Sequence, residues 1–185
     1  RTTLNDVQVL PGQCYQDPFF GLMYTPPGQP YNVAPWFYNG TEGSNFDSGG
    51  DPMQGDAGYP PSVVDWIVVS LRDNIEGTGG PICQTAAILH QDGQIELLDS
   101  FACCGLNPQV QYYIVIEHRN HLIIMSDVPL PVTNDTLTYD FRNQQSYIND
   151  PSQIGIYVGQ KEILPGVYAM YAGNGNQTPL PQADT

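Results

Sequence analysis

The segment His118-Arg119-Asn120-His121 is the densest group of side chains in the sequence that could do chemistry. Two imidazoles three positions apart would share one face of a helix, but on a strand they point to opposite faces. Only a turn or a bulge could bring them together, and His90, the third histidine, is far away in the sequence. We therefore expect a structural polar cluster where one strand bends into the next, rather than a metal site.

A buried ion pair is expected to complete this polar cluster. Arg119 has two candidate partners, Asp65 and Asp140. Buried pairs of this kind fix local geometry more surely than they add stability. The sequence leaves the choice between the two carboxylates open.

A second group of polar residues lies in a glycine-rich stretch and offers oxygen ligands for a cation. Asp47, Asp51 and Asp56 are separated by short, flexible spacers, and calcium is bound by carboxylate oxygens in flexible geometry. The spacing does not match the EF-hand pattern, so a solvated acidic loop is the alternative. Calcium is the only cofactor that the sequence suggests.

Enzymatic signatures are missing from the sequence. It contains no G-x-S-x-G elbow, and cysteine and histidine recur without a nucleophile signature. Nothing in the spacing of the 19 acidic residues selects a pair for glycoside hydrolysis. The sequence therefore predicts that this chain is not an enzyme.

The cysteines indicate disulfides. There are four of them, with no C-x-x-C pair, and an even count in an acidic chain that is poor in lysine favours an oxidising, extracellular location. Adjacent cysteines strain a bridge between themselves. We expect one bridge from Cys14 and one from Cys83, each to a member of the pair Cys103 and Cys104.

The net charge of −14 limits the possible partners. An acidic surface repels the phosphate backbone, so nucleic acid is excluded as a partner. No stretch approaches the roughly 20 apolar residues that a membrane-spanning helix needs.

Many short apolar runs, separated by turn residues, predict the elements that must hold these side chains. The run at 63–71 is apolar on both faces, as expected of a central strand. No segment keeps a clean helical period, so the chain is predicted to be one all-β domain over residues 1–185, an antiparallel β-sandwich of prealbumin-like or Ig-like type. The other predicted strands are 7–10, 85–89, 95–98, 111–116, 122–125, 137–141, 154–158 and 167–171.

Residues 11–61 differ from the rest and are predicted to be a long irregular insertion. They hold nine prolines and nine glycines, and a loop of this length is either functional or pinned by its own side chains. Trp36, Phe37 and Tyr38 are its central aromatics. They could fold back as a secondary core, form a platform for sugars, or contact another subunit.

Several blocks of this sequence resemble a region of very large secreted surface proteins of Bacteroidota. The VVDW block at 63–66 and the HRNHL block at 118–122 are the most specific. The DG turn at 92–93 and the GLNP turn before the tyrosine-rich strand also resemble prealbumin-like modules of surface proteins. The remaining blocks lie in the same order at 38–42, 67–73, 112–117, 125–126, 139–141, 160–161 and 166–170.

This resemblance implies export through the type IX secretion system and a role in adhesins, surface fibres or carbohydrate-active multidomain proteins. The family pattern commonly continues into an Asp-rich calcium loop, but residues 174–177 contain no carboxylate. Asp135-Thr136-Leu137 resembles the O-glycosylation acceptor pattern of the same phylum, which makes Thr136 a candidate glycosylation site.

The sequence thus predicts a structural or interaction protein of the bacterial cell exterior, a subunit or module of a fibre, appendage or adhesin. Its partners would be other copies of itself or other surface proteins. The alternative is a carbohydrate-binding module that uses Trp36, Phe37 and Tyr38 to bind polysaccharide.

Overall fold

The described part of the chain consists of strands and turns. The structure, a computed structural model, describes residues 28–42, 59–60, 62–98, 104, 106–134, 136–148 and 159–171, and the backbone of 15–17 and 21–23. Within these ranges there is no α-helix and the paired strands are antiparallel, so the predicted all-β class is confirmed. The strands are β1 Tyr15–Asp17, β2 Gly21–Met23, β3 Val63–Arg72, β4 Cys83–His90, β5 Ile95–Leu97, β6 Gln111–His118, β7 His121–Met125, β8 Leu130–Pro131, β9 Gln160–Leu164 and β10 Val167–Met170.

The largest sheet of the described residues has the strand order β5-β4-β3-β6-β7. The short strand β8 also pairs with β6, with Tyr112 opposite Leu130, so β7 and β8 follow one another along β6. Strands β1 and β2 form a hairpin of their own, as do β9 and β10. Strand β5 therefore lies at one end of the main strand order.

The two longest strands are buried along most of their length. In β3 every residue from Asp65 to Leu71 is buried, and in β6 so are Tyr112, Tyr113 and the residues 115–118. Successive side chains of a strand point to opposite faces, so burial of neighbours means that both faces are covered. The unbroken apolar run predicted this for β3.

The described residues group into two compact units, and the first comprises residues up to 68 together with 85–98. Its core is built around Trp66, whose side chain is fully buried. The loop 28–42 contributes Tyr31 to this core, and the strands supply aliphatic and small side chains that pack against the rings. The buried members are Tyr31, Val63, Trp66, Val68, Ala86 and Ile88.

The second unit comprises residues 69–84 and the described residues from 104 onward. Its core contains Tyr113, Val115 and Met125. A buried amide joins strand β9 to the segment 141–146 of the same unit: Gln160 accepts a hydrogen bond from Ser146 N at 2.7 Å and donates one to the carbonyl of Phe141 at 2.7 Å. The prediction of one domain over 1–185 stays a prediction.

The segment 137–141, predicted as a strand, is irregular. Asp140 is the physical reason. Its carboxylate accepts hydrogen bonds from the backbone N–H and the guanidinium of Arg142, and its carbonyl accepts from Asn143 N and Gln144 N. A side chain that bonds its own downstream backbone favours a turn over a ladder. Residues 7–10 and 154–158 lie outside the described residues.

One disulfide is present in the described residues and joins Cys83, the first residue of β4, to Cys104. The two Cα atoms are 5.7 Å apart and the sequence separation is 21 residues. This is one of the bridges expected from Cys83. Cys14 and Cys103 lie outside the described residues.

Replacing both Cys83 and Cys104 with alanine should lower the free energy of unfolding by about 3 kcal/mol, because the bridge restricts a loop of roughly 20 residues in the unfolded chain. Urea denaturation of the parent and the double variant under oxidising conditions measures this. The same comparison in reducing agent is the control, and there the difference should vanish. Equal stability under oxidising conditions would contradict the prediction.

Candidate functional site

The loop 28–42 presents one aromatic side chain to solvent and turns the others inward. Trp36 and Tyr38 are half-buried and pack against the core around Trp66, whereas Phe37 is 67% exposed. The backbone of Phe37 has φ of 47°, a left-handed conformation that bulky residues seldom adopt. Of the three predicted contact residues, only Phe37 is thus displayed.

Tyr31 fixes this loop to the sheet. Its side chain is fully buried, and its hydroxyl donates a hydrogen bond to the carbonyl of Trp66 at 2.7 Å. The ring of Trp36 meets that of Tyr31 edge-on, with centroids 4.9 Å apart, an arrangement favoured by aromatic quadrupoles. The carbonyl of Tyr31 accepts a hydrogen bond from Tyr38 N at 2.8 Å, which closes the loop.

A buried carboxylate anchors the other end of the loop. Glu42 is only 8% exposed, and its Oε1 accepts hydrogen bonds from the hydroxyl of Tyr38, from Thr85 Oγ1 at 2.8 Å and from Ala86 N at 3.3 Å. Thr85 and Ala86 belong to β4, so Glu42 fastens the loop to that strand. Its Oε2 is buried and makes no hydrogen bond within the described residues.

The packing around this carboxylate has two further consequences. A Cβ atom at Gly40 would collide with Glu42 Oε2 and with the Tyr38 hydroxyl, so any larger residue there would have to displace this hydrogen-bonded pair. Burial, followed by the hydrogen bond and the negative charge of Glu42, raises the pKa of Tyr38 to about 12. The phenol therefore stays protonated and remains a donor across the physiological range.

The histidines of the HRNH block converge at the β6–β7 hairpin. Arg119 and Asn120 form its turn, and a register shift between Ile116 and His118 places His118 opposite His121. The two Nδ1 atoms lie 2.9 Å apart, and each histidine is 2% exposed. The two histidines therefore do not point to opposite faces of a strand, because a turn brings their rings together.

The backbone of the turn also bonds to one of these imidazoles. Asn120 N donates to His118 Nδ1 at 3.0 Å, so that nitrogen is an acceptor and its proton must reside on Nε2. The same Nδ1 nitrogen also lies 2.9 Å from His121 Nδ1, so it contacts both the turn backbone and the second ring. This pair connects the two strands that flank the turn.

Of the two carboxylates considered for Arg119, Asp140 forms an ion pair with Arg142. Its two oxygens lie 2.8 Å and 3.0 Å from the guanidinium, and these hydrogen bonds hold the pKa of Asp140 below its usual range. Asp65 is buried and accepts a hydrogen bond from Trp66 N at 2.8 Å. Arg119 is half-buried in the turn.

The candidate glycosylation site lies on the surface. Thr136 is exposed in a tight turn, and its hydroxyl donates to the carbonyl of Asn134 at 3.2 Å.

Asp47, Asp51 and Asp56 lie outside the described residues, so calcium there stays a prediction. In the part of the chain that the structure describes, no three His, Cys, Asp or Glu side chains come together as a metal site. No helix in that part is long and apolar enough to cross a bilayer.

Sequence reasoning missed a group of three residues beside an open cavity. Ser62 Oγ lies 2.9 Å from His90 Nδ1, and His90 Nε2 lies 2.9 Å from Glu96 Oε2. The Asp92-Gly93 turn, which predicts a hairpin after His90, was the available signal. In a hairpin the residues on either side of the turn become neighbours.

No protein-family model, curated protein or solved structure matches this chain.

Replacing Tyr38 with phenylalanine should lower the free energy of unfolding by about 1 to 2 kcal/mol, because a buried carboxylate loses one of its donors. Urea denaturation at neutral pH measures this. The matched control is Tyr171→Phe, at a position that is 39% exposed and whose hydroxyl makes no hydrogen bond within the described residues.

The pH dependence has a defined sign. The pKa of Tyr38 is raised from its ordinary value of 10.0 to about 12, so its contribution to stability is complete below pH 10 and is lost as the pH rises towards 12. The stability difference between the parent and Tyr38→Phe should thus begin to narrow above pH 10. A difference that is absent at pH 7, or that grows above pH 10, would refute the assigned role.

Proposed function

We propose that this chain is a structural protein of the bacterial cell exterior, a β-sandwich subunit or module of a surface fibre, appendage or adhesin. The sandwich would be of prealbumin-like or Ig-like type, as in the secreted Bacteroidota surface proteins that the sequence resembles. The antiparallel all-β architecture supports this proposal, and the Cys83–Cys104 bridge fits an oxidising location. The observation that carries it is the exposed strand at the edge of the main sheet.

Among the described residues, strand β5 has the properties of a sheet edge. It ends the strand order of the sheet, and all three of its residues are exposed, with Ile95 at 37% and Leu97 at 39%. Edge strands are ordinarily protected by lysine, proline or inward-pointing charge. This strand contains neither lysine nor proline, and the charge of Glu96 is directed to His90.

The partner that this edge fits is a second copy of the same chain. If two β5 strands pair antiparallel about Glu96, Ile95 of one copy lies opposite Leu97 of the other. Such a two-fold contact places an apolar pair on each side of the axis. It also sets the two Glu96 carboxylates opposite each other at the axis, where each is bonded to the His90 of its own copy. Added strands bind through backbone hydrogen bonds and need no special side-chain chemistry. A fibre would require a further contact elsewhere on the chain.

The net charge of −14 predicts how association responds to salt. Two acidic copies repel each other over the Debye length, which is about 10 Å at 0.1 M salt. Association should therefore strengthen as salt is added, and a divalent cation should be more effective than sodium at equal ionic strength if carboxylates are bridged.

The substitution Ile95→Lys tests the edge contact. It should weaken self-association at least about tenfold, a change of 1.4 kcal/mol, because a lysine charge would be buried against the second copy. Sedimentation velocity over a wide concentration range measures the self-association. Electron microscopy detects filaments, and a comparison with and without chelator tests whether the filaments need calcium. The matched control is Ile163→Lys in β9, where the parent side chain is 50% exposed, and it should associate like the parent. A parent that stays monomeric at all concentrations, with and without calcium, would refute self-assembly.

Phe37 favours one alternative, a carbohydrate-binding module. The ring is displayed on a loop fixed on both sides by inward-facing aromatics, and exposed aromatic faces suit stacking on sugars. If this alternative holds, the monomer binds polysaccharide saturably, and Phe37→Ala abolishes binding with unchanged stability. The control is Val33→Ala, on the same loop and 55% exposed. Equal binding by Phe37→Ala and the parent would exclude it.

A further inference from the structure

Ser62, His90 and Glu96 form a hydroxyl–imidazole–carboxylate chain in which both contacts are 2.9 Å long. Ser62 lies 28 positions before His90, and Glu96 lies six positions after it. A nucleophile bonded to a base that is in turn bonded to an orienting group is the general signature of nucleophilic catalysis. The order of the groups, rather than their positions in the sequence, defines the arrangement.

The strands hold each of the three residues. Ser62 immediately precedes β3, His90 ends β4, and Glu96 is the middle residue of β5. Gln91 N donates to the carbonyl of Ser62 at 2.8 Å, which keeps the serine beside the end of β4. The antiparallel register places Ile88 opposite Glu96.

The turn after β4 is equally well defined. His90 N donates to the carbonyl of Gln94 at 2.9 Å, and Gly93 N donates to the carbonyl of His90 at 2.9 Å. Gly93 has φ of 83°, a conformation that glycine adopts without strain. Asp92 Oδ1 accepts a hydrogen bond from Gln94 N at 2.9 Å. The imidazole of His90 thus lies between Ser62, which is held at the start of β3, and the hydrogen-bonded turn that follows β4.

The three side chains open onto a cavity of about 530 Å³, within the range of small-molecule sites. The His90 side chain is 16% exposed and that of Glu96 is 56% exposed, so the imidazole is sheltered while solvent reaches the carboxylate. The other lining residues are Gln91, Asp92, Gln94 and Ile95.

We propose that this cavity is a nucleophilic serine site that hydrolyses small, uncharged carboxylic esters. Ser62 is the nucleophile, His90 is the general base and Glu96 is a positioning residue. Asp92 and the net charge of −14 disfavour phosphate esters and other anions. Ile95 offers an apolar contact, and the side-chain amides of Gln91 and Gln94 are donors of the type that stabilise an oxyanion.

The proton positions suit this assignment. In the neutral tautomer with its proton on Nε2, His90 donates to Glu96 Oε2 and presents Nδ1 as the acceptor for the hydroxyl proton of Ser62. Attack of Ser62 Oγ on the ester carbonyl transfers that proton to Nδ1. Collapse breaks the ester C–O bond, and the alcohol leaves with the proton from Nδ1. Water then repeats the sequence on the acyl-serine, which releases the carboxylic acid and restores Ser62.

The first experiment treats the folded chain with a fluorophosphonate, whose fluoride is displaced by an activated serine, and maps the labelled peptide by mass spectrometry. We expect label on Ser62 and none on Ser62→Ala. Steady-state hydrolysis of p-nitrophenyl acetate should fall about 10²-fold or more in Ser62→Ala and in His90→Gln. Thr78→Ala removes an exposed hydroxyl that contacts no imidazole and should match the parent.

Glu96 requires a separate readout because it acts through His90. Glu96→Gln should lower kcat with KM unchanged, and Glu96→Asp, which keeps the carboxylate, should recover part of the loss. Circular dichroism verifies that each variant is folded, and Ser62→Ala removes only one hydroxyl. An unlabelled parent, label on other serines alone, or equal hydrolysis by the parent and Ser62→Ala would overturn the proposal.

Discussion

A carboxylate taken out of water needs hydrogen-bond donors, and the described donors to Glu42 all bind one of its oxygens, Oε1. Two come from β4 and one from Tyr38 of its own loop. This requirement explains why the loop 28–42 follows the sheet closely: Tyr38 must face inward to reach Glu42, and its backbone N–H then meets the carbonyl of Tyr31. Gly40 is needed because the same carboxylate occupies the space of a side chain.

The parts of the fold that sequence predicted best are those governed by a local pattern. The unbroken apolar run of β3 indicated a strand buried on two faces and the tyrosine-rich run of β6 indicated a strand, and the structure has both. The prediction of a strand at 137–141 was wrong. The neighbours of Asp140 favour a strand, but its carboxylate accepts a hydrogen bond from the backbone N–H two residues later and so favours a turn. A pattern of side-chain polarity does not report such a local competition.

The candidate sites were harder to predict because they depend on register. On one continuous strand His118 and His121 would point to opposite faces. A turn and a register shift fall between them, and their side chains are therefore in direct contact. Ser62 and Glu96 meet His90 only because β3, β4 and β5 are neighbours in one sheet. A one-residue slip would turn every side chain of a strand to the other face, so composition and spacing alone could not bring these three groups together.

The inward-facing rings beside Phe37 separate recognition from stability. Tyr31, Trp36 and Tyr38 hold the loop from within, whereas the tip residue, at 67% exposure, contributes little to the core. Changes at the tip can therefore alter what the loop touches without loosening the loop itself. The residue at the tip can thus be exchanged while the buried rings and their hydrogen bonds keep the loop in place.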